Sequence, residues 1–536
     1  MKNLRLLIIY FAVVGLFITS CNPDYLTDMN RNPDRIEEII PEYAFTAALM
    51  AATPSRTNTL VQGMQYLATY KEASASGDKL TGFLSGSFNV YINELNRLMQ
   101  ITNALKDDPD NVNKLAAVEM LRIYHFHITT DQLGDIPYSE AMKGLENRKP
   151  KYDTQRSIYL AMLSELDAAL TSMDANKPGI FGSADIFFGG DITKWKKFGY
   201  TLMMRIGMRM SEVEPALSQQ WVEKAAAGGV MKDFEDIAYV QYADVRDQYN
   251  PKANAWITGN FMEFGGDNME GGKLAATFVN HMKNTRDPRI YVLSVVWVPQ
   301  GTAPETYLPD TSMAAQRGMI NGSLSGFPPD FDTYSDPSPI FIYRGSPLVV
   351  MEPAEAYFLL AEAALRGWNV GITDAEAYEK AVRAAMGRWK LWPEVSASPN
   401  ISTIPEAAIN AYLANNLYGG SYEQKFEQIM TQRWVSMWDN EYEVWANWRR
   451  VKLPIFNYAN WLNTDGTYTH FPGSVSGGKM FRRCSLPTTE QLLNPDNYYE
   501  ALERQGFSDE NRDMLQGRMW WDLESVGNGS GQSNAN

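Results

Sequence analysis

The sequence predicts a mostly α-helical fold, an array of helix pairs of tetratricopeptide size with one long irregular region rich in aromatic rings. Apolar residues recur at steps of three and four over long stretches in both halves of the chain. Strand patterns are few and short. A span at about 237–350 holds Gly-Gly and Pro-Pro breaks among many rings. With 536 residues, the chain is long enough for such an array.

The first segment predicts export and lipid attachment. Lys2 and Arg5 give a positive start, an uncharged apolar run follows from Leu6 to Ile18, and small residues precede Cys21, as in a bacterial lipobox. The apolar run is too short to cross a bilayer, which needs about 20 apolar residues. We therefore expect residues 1–20 to be a lipoprotein signal peptide. Cleavage would leave Cys21 as the lipid-carrying N-terminus.

The next segment, residues 21–40, is predicted to be a tether between the lipid and the folded body. It is rich in Pro, Asn and Asp, residues that favour turns and extended chain. Pro41 suits the first turn of a helix, and an apolar face begins with Tyr43 and Ala47. We expect residues 41–536 to form a single helical domain.

Helical periodicity continues along this domain. After Asp153, a candidate N-cap, apolar residues from Ile158 to Met173 fall on one helix face. Other helices are predicted at Asn93–Leu105, Lys114–Leu133, Trp195–Ser211, Glu214–Ala227, Glu355–Arg366, Asp374–Met386, Glu406–Ala414 and Tyr422–Met437. The pair that starts at Glu355 has the length of a tetratricopeptide unit, about 34 residues. Short strands are predicted at Ile290–Val298 and Ile340–Tyr343.

Composition excludes several classes of function. A formal net charge of -15 argues against nucleic acid as a partner. Lipidation of Cys21 would leave Cys484 without a partner, so no disulfide is expected. The four histidines, His125, His127, His281 and His470, lack zinc-site spacing, and no stretch has the ligand spacing of an EF-hand calcium loop. We therefore predict no metal and no cofactor beyond the lipid.

The irregular region at about 237–350 is the predicted ligand surface. Aromatic rings can stack on the apolar faces of sugar rings, while amide and carboxylate groups bond to hydroxyls. The alternative is that most rings pin the loops to the core. The candidates are Tyr249, Trp256, Trp297 and Tyr334 for stacking, with Asn254 and Asp267 for hydroxyl groups.

A series of short motifs along nearly the whole chain resembles the SusD/RagB family of nutrient-binding outer-membrane lipoproteins of Bacteroidetes. Any one motif could arise by chance, but their shared order could not. They are Asn30-Arg31-Asn32-Pro33, Thr130–Ala141, Pro150–Gln155, Gly190–Phe198, Asp287-Pro288-Arg289, Ala361–Trp368, Gln432-Arg433-Trp434, Trp448-Arg449-Arg450, Arg482-Arg483 and Trp520-Trp521-Asp522.

Most of these motif residues are interpreted as structural. Trp195, Trp434 and Trp448 are large rings suited to buried packing. Arg449 and Arg450 are expected to be held by carboxylates and backbone carbonyls, which the forked guanidinium favours. None of the motif residues is a predicted nucleophile.

The resemblance implies a surface protein that binds and delivers a nutrient. Family members carry four tetratricopeptide-like helix pairs and a variable ligand region. They lie on the outer face of the outer membrane and close over a SusC-like TonB-dependent transporter. Their ligands are oligosaccharides or, in some branches, peptides. By this resemblance the chain would capture a glycan and pass it to the transporter without catalysis.

Three alternatives stay open at this point. The same rings could hold a peptide, because aromatic pockets and amide groups serve both ligands. A surface glycoside hydrolase would need two carboxylates about 5 to 9.5 Å apart, one with a raised pKa. The sequence lacks the Gly-x-Ser-x-Gly motif of esterases and the His-Glu-x-x-His motif of zinc proteases. A solute-binding lipoprotein for an ABC importer would need alternating strands and helices in two lobes, which the helical pattern disfavours.

Overall fold

The computed structural model describes residues 39–53, 57–70, 76–82, 84–253, 272–301, 306–323, 326–392, 398–507 and 515–525, and within them the fold is mostly helical, as predicted. The helices are α1 Pro41–Ala51, α2 Asn58–Gly63, α3 Asn96–Leu105, α4 Val112–Leu133, α5 Gln155–Ser172, α6 Ile192–Arg209, α7 Pro215–Gly228, α8 Ala276–Asn284, α9 Ile290–Leu293, α10 Pro353–Leu365, α11 Asp374–Gly387, α12 Glu406–Asn415, α13 Tyr422–Ser436, α14 Glu441–Val451, α15 Thr489–Leu493 and α16 Pro495–Arg504. The strands are β1 Leu67–Ala68, β2 Ala238–Val240, β3 Lys273–Leu274, β4 Ser294–Gln300, β5 Thr306–Asp310, β6 Asp336–Pro337, β7 Leu348–Met351, β8 Trp461–Leu462 and β9 Tyr468–Thr469.

Helices that follow one another in the sequence pack together in pairs. Contacts join α4 to α5, α6 to α7, and α10 to α11, and α10 also packs on α13 and α6. In the α10–α11 pair, Leu360, Ala377 and Ala381 are all buried, and the small side chains allow close approach. The helix-pair array expected from the sequence is therefore present.

Local capping explains where α5 and α11 begin. Thr373 caps α11 by accepting a hydrogen bond from the Glu376 amide at 3.2 Å. The expected N-cap of α5, Asp153, is wrong, because Thr154 is the residue that caps this helix. Asp153 pairs through its backbone with Ile136, and its carboxylate accepts hydrogen bonds from the amides of residues 138 and 139 instead.

The irregular region contains more regular structure than its breaks indicate. In the described parts of 237–350, β4 pairs antiparallel with β5 and with β6, and β2 pairs with β7. The predicted strand at Ile290–Val298 begins only at Ser294, because Asp287 and Arg289 start the short helix α9. The predicted strand at Ile340–Tyr343 is instead a 3-10 turn, Pro339–Phe341, with Ser338 as its cap.

A network of buried ion pairs joins the helices at the centre of the array. Glu362 on α10 accepts hydrogen bonds from both terminal nitrogens of Arg450 on α14, at 2.6 and 2.7 Å. Arg205 on α6 makes the same two-pronged contact with Glu355 on α10, at 2.6 Å for each bond. Arg449 donates to the carbonyl oxygens of residues 131 and 482. The predicted role of Arg449 and Arg450 is confirmed.

Candidate functional site

Four rings meet where three segments of the chain approach one another, and we call them the aromatic cluster: Tyr70, Phe327, Phe331 and Tyr334. The Tyr70 ring lies edge-on to Phe327 and to Phe331, with centroids 5.3 Å apart in both pairs. The Phe327 and Phe331 centroids are 5.0 Å apart. Phe327 exposes 51% of its surface, whereas each of the other three rings exposes less than 10%. The cluster therefore presents one accessible ring on a buried aromatic base.

Backbone hydrogen bonds bring these segments together. β1 pairs with β3, and the Gly326 amide donates to the Tyr70 carbonyl at 3.2 Å. The Leu274 amide donates to the Ser335 carbonyl at 2.8 Å, which places the residue after Tyr334 against β3. Because the β1–β3 ladder and two further backbone hydrogen bonds connect these segments, the base of the cluster is held from more than one side.

Two cations cover the buried rings of the cluster. The guanidinium of Arg317 lies 4.2 Å from the centroid of Tyr334, and it donates a 3.1 Å hydrogen bond to the phenol oxygen. The Lys273 ammonium lies 4.3 Å from the Phe331 centroid. Burial raises the pKa of Tyr334 while Arg317 opposes it, and the net pKa is above the ordinary value, so the phenol keeps its proton at neutral pH. Arg317 also pairs with Asp330 at 2.7 Å.

A buried ion pair supports the cluster from below. The Asp78 carboxylate accepts hydrogen bonds from the amides of Thr69 at 3.0 Å and Gly322 at 2.5 Å, and it pairs with Lys79 at 3.1 Å. Gly77 is required here, because a Cβ at this position would lie 1.8 Å from the Thr59 carbonyl oxygen. Asp78 thus links the chain just before Tyr70 to the chain just before Phe327.

A small hairpin, β8–β9, lies next to this support. Its rings include Trp461, which packs edge-on against Phe471 at 5.0 Å, and Tyr468, which is 68% exposed. The Asn460 side chain donates to the Asn321 carbonyl at 2.9 Å and so attaches the hairpin to the segment that carries Phe327. The hairpin adds further exposed aromatic surface from a part of the chain far from the irregular region.

The predicted site residues fall in different surroundings. Trp297 lies on β4, and Tyr334 lies two residues before β6, the strand that pairs with β4; the two rings expose only 7% and 8% of their surfaces. Tyr249 lies under the Arg344 guanidinium, 4.5 Å from its ring centroid. Asn254, Trp256 and Asp267 lie outside the described residues, as does Cys21. Sequence reasoning missed Phe327, although Gly326 before it and Pro328-Pro329 after it mark a turn that could present a ring.

Three carboxylates at the cluster are paired with cations. Asp330, Asp336 and Asp78 each contact a lysine or arginine, whereas a general acid needs surroundings that hold its proton. Across the described ranges, no group of three or more His, Cys, Asp or Glu residues is placed to hold a metal ion. No helix in the same ranges is long and apolar enough to span a membrane.

The described residues form a helix-pair array that carries an aromatic cluster with one accessible ring. A sequence profile of the SusD-like family, described as "Starch-binding associating with outer membrane", matches residues 33–470. The chain therefore belongs to the SusD-like family. A comparison with curated protein sequences gave no significant match.

Several solved structures share the fold over almost their whole length. A chitin-binding protein is 25% identical with a TM-score of 0.72, covering 90% of this chain and 100% of that one. A SusD homologue from Bacteroides fragilis is 22% identical with a TM-score of 0.74, covering 91% and 100%. A chitin-binding SusD homologue from Flavobacterium johnsoniae is 22% identical with a TM-score of 0.70, covering 90% and 99%.

Proposed function

We propose that this protein captures a neutral oligosaccharide at the cell surface and delivers it to a SusC-like TonB-dependent transporter, without catalysing a reaction. The aromatic cluster is the observation that carries the proposal. An exposed ring on a rigid aromatic base can stack on a sugar ring, and Arg317 and Asp330 beside it supply donors and acceptors for hydroxyl groups. The family description and the chitin-binding neighbour support a glycan as the ligand.

The first test is the Phe327→Ala variant. Loss of one stacked ring is worth about 0.5 to 1.5 kcal/mol, so we expect affinity for the preferred oligosaccharide to fall up to about tenfold. Calorimetric titration with starch-derived and chitin-derived oligosaccharides measures this change. The stability of the variant should be close to that of the wild type, because the Phe327 ring is half exposed.

Phe234→Ala is the matched control for this test. Phe234 is also an exposed phenylalanine, at 39%, and it lies on the 3-10 turn Phe234–Asp236 after α7. We expect its replacement to leave glycan affinity unchanged. Equal effects of the two replacements would contradict the assignment of the cluster as the glycan site, and binding of peptides alone would contradict the ligand class.

Anchoring through Cys21 is the second part of the proposal. We expect Cys21→Ala to release the protein from the outer-membrane fraction or leave it unprocessed, because two or more acyl chains are needed for stable attachment. Cell fractionation and mass spectrometry of the N-terminus measure the outcome. Cys484→Ala is the control, since Cys484 is buried in the core. A Cys21→Ala protein that stays with the membrane would argue against the lipid anchor.

A further inference from the structure

A groove of about 610 Å³ lies among the helices α8, α11, α12 and α13. We call it the amide groove. Its volume falls within the range of about 300 to 1,000 Å³ that small-molecule sites occupy. Unlike the aromatic cluster, it is lined mainly by helices, together with the residue after α8 and the loop between α12 and α13.

The floor of the amide groove is rigid. Tyr412 on α12 accepts a 2.8 Å hydrogen bond from the Gln432 side chain on α13, and Gln432 in turn accepts one from Arg289 at 2.6 Å. The Tyr378 ring stacks on Tyr418 with centroids 4.4 Å apart. Because these groups are fixed by one another, the groove keeps its form without a ligand.

The walls carry amide groups with unused hydrogen-bonding capacity. Asn416 donates from its side-chain nitrogen to the carbonyls of Thr285 and Tyr412, and its side-chain oxygen accepts no bond from the described residues. Gln424 uses its oxygen to accept from the Ser421 amide. Each side-chain amide has two donor hydrogens and two acceptor lone pairs. Both Asn416 donors are used, so the Asn416 side-chain oxygen and the Gln424 side-chain nitrogen are the groups available to a ligand.

A half-buried imidazole, that of His281, also lines the groove. The Nε2 atom of His281 is buried and has no hydrogen-bond partner among the described residues. Burial lowers the pKa of His281 below its ordinary value, so the ring is neutral at neutral pH. Of the residues that line the groove, Glu427 is the one carboxylate, and none is a lysine or arginine. The groove thus offers hydrogen bonds with almost no charge.

We propose that the amide groove is a second site for a neutral oligosaccharide, separate from the aromatic cluster. The proposal rests on the proposed function for the class of ligand. Sugar hydroxyls both donate and accept, which matches neutral amides and a neutral imidazole. A site specific for a peptide would also need pockets for side chains, because main-chain hydrogen bonds give affinity while such pockets give specificity. The large aliphatic side chain in the groove lining, Leu417, is 78% exposed and therefore does not form an apolar pocket.

The test is Glu427→Trp in the full chain, kept in mild detergent and titrated calorimetrically with maltoheptaose and chitohexaose. Glu427 is exposed on α13, so a tryptophan there would fill the groove without disturbing the core. We expect two sites in the wild type and one in Glu427→Trp, with at least a tenfold loss of affinity at the groove. Glu423→Trp is the matched control, because Glu423 is an exposed residue one turn earlier on α13 and outside the groove lining. It should keep both sites, and Thr431→Trp should repeat the loss.

The outcomes separate this proposal from the proposed function. If Glu427→Trp and Thr431→Trp bind both probes with wild-type stoichiometry and affinity, the amide groove is not a glycan site, while binding that depends on Phe327 keeps the proposed function. If neither probe binds the wild type, both proposals fail. If the wild type binds a neutral hexapeptide but neither sugar, and Glu427→Trp does not bind the hexapeptide, the groove is a peptide site and the proposal is overturned.

Discussion

The variant Glu362→Ala is expected to be less stable than the wild type by about 3 to 5 kcal/mol, the usual cost of removing one partner of a buried ion pair. Glu362 is fully buried and faces Arg450, which is also buried. It further pairs with Arg366 at 2.9 Å. Alanine would leave the guanidinium of Arg450 in the core with the uncharged Asn447 and Ser211 as hydrogen-bond partners and with the Glu212 carboxylate farther away, at 3.8 Å. Urea denaturation of the variant and the wild type measures the difference.

Glu376→Ala is the control on the next helix. Glu376 pairs with Lys380 on α11 at 2.8 Å, but both side chains are about half exposed, and exposed pairs of this kind contribute little. We expect a much smaller loss of stability than for Glu362→Ala. Similar losses in both variants would show that burial does not determine the strength of these pairs.

The Glu362–Arg450 pair is expected to make the stability of the protein depend on pH. Burial raises the pKa of Glu362, but Arg450 and Arg366 outweigh it and lower the pKa from its ordinary 4.5 to about 2. A carboxylate with a lowered pKa stabilises the fold fully above its unfolded-state value, and this contribution is lost as the pH falls toward the folded-state value. The stability difference between the wild type and Glu362→Gln should therefore shrink as the pH falls from about 5 toward 2.

The variant Trp434→Ala is expected to lose about 3 to 5 kcal/mol of stability, and to bind glycan less well. The Trp434 ring on α13 is buried and stacks on Tyr66, with centroids 5.3 Å apart. Its indole nitrogen donates to the Met64 carbonyl at 3.0 Å, and the Tyr66 phenol donates to the Trp434 carbonyl at 2.6 Å. Tyr66 directly precedes β1, and its carbonyl accepts from Ala275 at 2.8 Å. Loss of the ring should therefore loosen the strand that positions Tyr70.

Trp434→Phe separates the two contributions of this side chain. Phenylalanine keeps most of the ring packing and loses the hydrogen bond to Met64, which is worth about 1 kcal/mol. We expect Trp434→Phe to bind glycan nearly as well as the wild type. Unchanged glycan affinity in a folded Trp434→Ala protein would contradict the link between the helix array and the aromatic cluster.

The helices could be predicted because their signals are local. α11 begins at Asp374 and α13 at Tyr422, as the periodicity predicted, since Thr373 and Ser421 cap them within the next three residues. Burial of Trp195, Trp434 and Trp448 was also predicted, and it is confirmed. Large aromatic rings favour the interior of a packed helix array because they bury a large apolar area.

The binding surface could not be predicted residue by residue. Trp297, Tyr334 and Phe327 all lie in one aromatic-rich span, and the Gly and Pro residues beside Phe327 indicate a turn without fixing which ring is exposed. Exposure is decided by distant partners, such as the bond from Gly326 to Tyr70 and the Arg317 guanidinium over Tyr334. Two further contributions, the hairpin with Tyr468 and the support from Asp78, come from segments outside the predicted region.

The buried ion network constrains how descendants of this chain can diverge. A substitution of Glu362 or Arg450 alone removes one partner of a buried ion pair and leaves the other charge in the core. The two residues are therefore expected to persist or be replaced together. Phe327 is under no such coupling, because its ring projects from the surface and its loss leaves no charge behind. If Phe327 contacts the ligand as proposed, ligand preference can drift by single substitutions while the helix array is inherited almost unaltered, and one scaffold can then bind many different nutrients.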